Sequence, residues 1–100
     1  MAFEAAEFNA ALSAAAGSDP ELAAELRAAY VASAEQQVDL LRRSRCDGNW
    51  NVSAMRLKSL GASFHEQELV RLAEIALEGA PGDPGIIRKL EHHLTEFTTD

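Results

Sequence analysis

From Trp50 to Phe64 the chain reads Trp50-Asn51-Val52-Ser53-Ala54-Met55-Arg56-Leu57-Lys58-Ser59-Leu60-Gly61-Ala62-Ser63-Phe64. Trp50, Ala54, Leu57, Gly61 and Phe64 recur at spacings of three and four, the period that lines side chains along one stripe of an α-helix. That stripe predicts the core face of a helix from about Asn49 to Phe64. Met55, Lys58, Ser59 and Ala62 follow the same period on a second stripe, rotated toward solvent. One face is therefore committed to a core, and the other, small-residued and next to a cation, has the layout of a working surface.

The flanking segments supply what packs against the core stripe. Every long segment has helical periodicity, and no run of β-branched residues alternates as a strand would, so the chain is expected to be all-α. A first helix is predicted from about Phe3 to Ala16, with Phe3, Phe8 and Leu12 available to pack and Gly17 as its stop; its shortness suits a lid. Ser18-Asp19-Pro20-Glu21 is a strong start signal. Asp19 can cap free N–H groups, proline is tolerated at the first helical position, and Glu21 suits the positive end of the dipole. The second helix then carries Leu22, Leu26, Tyr30, Ala34, Val38 and Leu41 inward and is expected to end near Cys46, before a turn at Asp47-Gly48-Asn49. A fourth helix is predicted from His65-Glu66 to about Glu78, with Leu69, Leu72, Ala73 and Ala76 inward. Gly79-Ala80-Pro81-Gly82 breaks it, and Asp83-Pro84 repeats the cap-then-proline start of a fifth, with Ile86 or Ile87, Leu90, Leu94 and Phe97 on one side. Four long helices with short turns predict an antiparallel four-helix bundle with an additional short N-terminal helix. Residues 1–100 read as one domain, with 1–17 as the N-terminal helix and 18–98 as the bundle.

Composition narrows the function classes. A chain of 100 residues, 47% hydrophobic and 25% charged, suits one small core and leaves no room for a deep cofactor cavity beside it. No cofactor or metal is expected, and an enzyme is disfavoured. The net charge of -7 repels nucleic acid and anionic lipid as a whole. The single cysteine, Cys46, excludes an internal disulfide and fits a reducing compartment. With no basic leader and no apolar run of the ~20 residues that span a bilayer, a cytoplasmic protein is expected. Against the acidic background, five of the nine basic residues, Arg42, Arg43, Arg45, Arg56 and Lys58, fall between positions 42 and 58, which predicts a local basic surface.

The stretch around Met55 resembles the histidine-containing phosphotransfer (HPt) domain, whose motif runs Ala-His-x-Leu-Lys-Gly followed by small residues. Ala54, Leu57, Lys58 and the small-residue tail to Phe64 fit the motif. Trp50 fits an aromatic often found upstream, and Leu69 to Ala76 resembles the family's next helix. Three positions depart: Met55 stands where the phosphohistidine belongs, Ser59 replaces the motif glycine, and His65 replaces a later glycine. A phosphorelay histidine offers an imidazole nitrogen to an aspartyl phosphate beside a neutralising cation. A thioether has no route to a phosphoramidate bond. The resemblance therefore implies a non-phosphorylatable module of a two-component phosphorelay that binds a response-regulator receiver domain, with a hybrid histidine kinase as a further partner. Met55 would be the central contact, Lys58 the phosphate-facing cation, Ser59 and Ala62 the close-approach surface, and Arg56 a peripheral charge. A monomer is expected over a dimer.

Two alternatives follow from other residues. Ordinary relay activity would survive if Met55 were engineered or if His65 carried the phosphate, although Glu66 and Glu68 beside His65 repel it. A structural bundle could instead dimerise through Ile86, Ile87, Leu90 and Leu94. His92 and His93 lack a positioned cation and read as charges favourable at a helix C-terminus; His92 with Glu96 is a weak metal pair lacking a third ligand.

Overall fold

The computed structural model describes residues 6–99, with side chains described through Phe97. Phe3 lies outside these residues. The described residues are helical, with elements α1 (Ala6–Ala15), α2 (Pro20–Arg42), α3 (Asp47–Ser63), α4 (Gln67–Glu78) and α5 (Pro84–Thr99). Helix α2, with 23 residues at about 1.5 Å each, accounts for most of the 42 Å long axis of the molecule.

The two cap-then-proline start signals act where the sequence placed them, and other helix ends shift by up to four residues. Asp19 Oδ1 accepts from the backbone N–H groups of Glu21 and Leu22 at 3.0 and 3.4 Å, and Pro20 opens α2. Gly17 and Ser18 both take positive φ, 62° and 66°, which turns the chain sharply between α1 and α2. Helix α2 ends at Arg42 rather than near Cys46, because the Ser44 N–H tightens onto Leu41 O at 3.1 Å and Ser44 Oγ folds back onto Leu40 O. The expected turn at Asp47-Gly48-Asn49 is instead the first turn of α3, and the reversal is made by residues 43–46. Helix α4 begins at Gln67, not His65. His65 sits at φ 56° in the turn, and Glu66 is the cap, accepting from Glu68 N–H at 3.3 Å and Leu69 N–H at 2.9 Å. Asp83 Oδ1 accepts from the Gly85 N–H at 2.9 Å at the start of α5.

The helices pack as a bundle around one core. Helix α2 lies against α3 and α5, α3 against α4, and α4 against α5, and α1 rests on α2. Trp50, Ala54 and Leu57 of α3 are fully buried, together with Leu41, Leu69, Ala73, Ala76 and Leu90 from the neighbouring helices. Each large aliphatic buried this way contributes about 1.5–3 kcal/mol. Trp50 also ties α3 to α4, its Nε1–H donating to Ala76 O at 2.8 Å. The tightest approach is at Gly61, where an added Cβ would meet Val70 Cγ2 at 3.0 Å and the backbone of Glu66 and Val70 at 3.1 Å. Only a residue without a side chain lets α4 come this close.

At one end of the bundle Phe8, Tyr30, Phe64 and Phe97 form an aromatic cluster, with centroid separations of 4.8 to 5.8 Å. Phe8, 1% exposed, is the anchor that makes α1 a cover for this end. Arg27 fastens α5 there, donating through Nη2 to Phe97 O at 2.7 Å while its guanidinium lies 4.6 Å from the Phe97 ring centre. Three expected inward positions differ. Leu22 is 40% exposed, since it lies in the first turn of α2 beyond the reach of the core, Leu26 is half-buried at the edge of the core, and Phe64 is half-buried at the end of α3. Ile86 and Ile87 are both buried, and with Leu90 and Leu94 they lie inside the core. That stripe is therefore not an available dimer surface, because burying it within the chain has already removed its apolar area from water.

Candidate functional site

The outward face of α3 collects the residues singled out from the sequence. Core packing of Trp50, Ala54, Leu57 and Gly61 fixes the rotation of the helix, so its opposite side faces solvent along Met55, Ser59 and Ala62. Met55 is 50% exposed, and Val52, one turn before it, is 48% exposed. These two are the large hydrophobic side chains that α3 presents to water. With Asn51, Arg56, Ser59, Leu60 and Ser63 they line a shallow open depression on the helix. Val52 and Leu60 were not among the expected contacts, although Val52 stands three residues before Met55 and so had to share its face.

The cations divide. Lys58 lies at the border of this face toward α4, where its Nζ is 3.4 Å from Glu74 Oε2. Arg42 pairs with Asp39 and Arg43 Nε lies 3.0 Å from Asp39 Oδ2, so part of the expected basic surface is neutralised locally. Arg45 and Arg56 are exposed, and neither is within ion-pair distance of a described acid. The positive potential on the α3 face is thus weighted toward Arg56 and the α2–α3 turn, away from Lys58.

Of the three histidines, His65 is exposed in the α3–α4 turn, beside no lysine or arginine in its helix turn. His92 is exposed and forms an i,i+4 pair with Glu96 at 3.4 Å, and among the described residues no three potential ligands come together for a metal ion. His93 is different. It is 6% exposed, its Nε2 is 2.7 Å from Glu66 Oε2, and Glu66 itself is 2% exposed. The spacing Ile86, Leu90, His93, Phe97 runs four, three and four, which is the signal that places His93 on the core stripe.

Tyr30 and the Glu68–Arg71 pair have shifted ionisation. The Tyr30 phenol is pushed well above its usual range, first by burial and then by the charge of Glu66, and its hydroxyl has no hydrogen-bond partner among the described residues. Glu68 is held below the usual carboxylate value, mainly by its hydrogen bonds from Arg71 Nε and Nη2 at 2.8 and 2.6 Å. Neither lies on the outward face of α3. That face has an apolar centre, small neighbours and a cationic flank. Comparison with known protein families, with curated proteins and with solved structures finds no match to the chain.

Proposed function

We propose that the chain is an HPt-like module of a two-component phosphorelay that binds a response-regulator receiver domain without carrying phosphate. The observation that carries this reading is Met55, half-exposed at the centre of an outward helix face with Ser59 and Ala62 beside it. A partner can approach the backbone closely at those small residues, bury Met55, and meet Arg56 at the rim. The ring of neighbouring helices α2 to α5, joined by short turns, fits an antiparallel four-helix bundle of the HPt kind. Methionine in the carrier position makes the module a competitor for the receiver surface or a shield over its aspartyl phosphate, acting in the cytoplasm beside a hybrid histidine kinase. Attraction to the acidic phosphorylation pocket of a receiver speeds encounter more than it deepens affinity.

The test is binding of the purified protein to receiver domains of its own host, with and without a phosphate mimic, alongside Met55→Ala, Arg56→Glu and Lys58→Glu. Saturable binding to one or two receivers is expected, weakened about tenfold by Met55→Ala through lost apolar contact. Arg56→Glu is expected to cost more than Lys58→Glu, since Glu74 already occupies the lysine. Absence of binding to every receiver removes the proposal.

A further inference from the structure

A notch lies where the end of α2 meets the first turns of α3, beside the outward face but distinct from its apolar centre. Leu40, Arg43 and Ser44 form one wall and Asn49, Val52, Ser53 and Arg56 the other, with Val52 and Arg56 bordering the Met55 depression as well. In a chain of net charge -7 it is notable chemically that two guanidinium groups and no carboxylate line this notch. The nearest acid in contact is Asp39, which meets Arg43 at Nε, 3.0 Å away. A guanidinium carries five N–H donors in a planar fork, so that contact does not exhaust it.

Ser53 supplies an independent observation. It is 4% exposed, yet its hydroxyl makes no hydrogen bond to a described residue, whereas Ser44 Oγ in the same notch is satisfied by Leu40 O at 2.8 Å. The Ser53 Oγ is not sealed in the core, so it is open to a partner that enters the notch from solvent. Cys46, the N-cap of α3, gives no side-chain cap hydrogen bond, and the one acid in that first turn, Asp47, does not line the notch. The negative end of α2 opposes the positive end of α3, and Arg42 and Arg43 offset that negative end.

We propose that this notch binds a phosphate-class oxyanion, gripped by Arg43 and Arg56 from opposite walls and by the Ser53 hydroxyl and Asn49 amide from the floor and rim. Donors arriving from several directions suit a tetrahedral anion better than a planar carboxylate. The anion is either free phosphate or a phosphoryl group on another protein, and the site shares Arg56 with the Met55 face but does not involve Met55 itself.

The experiment is an NMR titration of the whole protein with inorganic phosphate at fixed pH and ionic strength, with sodium chloride as control and a phosphoserine peptide as a second probe. Saturable shifts centred on Asn49, Ser53 and Arg56 are expected. Arg56→Gln should abolish them and Ser53→Ala should weaken binding severalfold, with circular dichroism confirming that both variants stay folded. Peptide binding at least about tenfold tighter than phosphate assigns the anion to a protein-borne group, and equal binding assigns it to the free ion. Shifts that do not saturate, that chloride reproduces, or that persist in Arg56→Gln overturn the site.

Discussion

Glu66 holds three partners with one carboxylate: the N–H groups of Glu68 and Leu69 at the start of α4, and Nε2 of His93 on α5. Truncating it removes a helix cap and leaves a buried histidine without its carboxylate. Glu66→Ala is expected to lower stability by about 3 kcal/mol, read as a fall in denaturant midpoint at unchanged slope. Glu66→Gln should cost less, because the amide oxygen can still cap α4. Tyr30 gives a second test at this scale, since it is the sole tyrosine of the chain. With its phenol pushed up by burial, no tyrosinate absorbance should develop at the usual value of 10.0 while the protein is folded. Above that pH the unfolded chain releases a proton that the folded chain keeps, so stability should fall as pH rises and tyrosinate should appear together with loss of helix. Tyrosinate forming at pH 10 with the helices intact would show the ring to be in water.

At the scale of elements, the contact between α3 and α4 is set by Gly61. Gly61→Val must displace Val70 or separate the two helices, and a cost of about 1–3 kcal/mol is expected from the overpacking. Because Trp50 bridges the same two helices through Ala76 O, a change in its fluorescence should accompany that loss; an unchanged stability would mean that the helices have room to spare. The ends of these helices were largely legible in sequence wherever a side chain makes the cap, as at Asp19 and Asp83. The sequence reading differs where backbone closure decides, as at Ser44, or where a glutamate caps in place of the commoner serine or aspartate, as at Glu66. Arg71 and Glu68, one turn apart on α4, are an exposed pair whose attraction water largely screens, so it adds little to stability.

For the molecule as a whole, the proposed function makes a gain-of-function prediction. If α3 retains the phosphotransfer register, Met55→His places an imidazole on the exposed face next to Lys58. It should then accept a phosphoryl group from a phosphorylated receiver that binds the protein, giving acid-labile, base-stable label, while the unaltered chain takes none. A bound receiver that never labels Met55→His would mean that the register has been lost. The bundle should tolerate this change with stability altered by no more than about 0.5 kcal/mol, since half of the Met55 side chain is already in water.

The sequence by itself determined that the chain is helical, where five helices fall, and which face of each is apolar, because the three-and-four spacing of Trp50, Ala54, Leu57 and Gly61 leaves a helix only one way to bury them. It also determined that Met55 stands on the opposite face. Tertiary structure alone decided what crosses between helices: that His93 and Glu66, 27 positions apart, meet at 2.7 Å, that Glu74 takes Lys58, and that Arg43 and Arg56 share a notch. Periodicity is a property of one helix and can be counted along the chain. A partner on another helix depends on the rotation and approach of both, which the packing of Gly61, the aromatic end cluster and the buried leucines settles together.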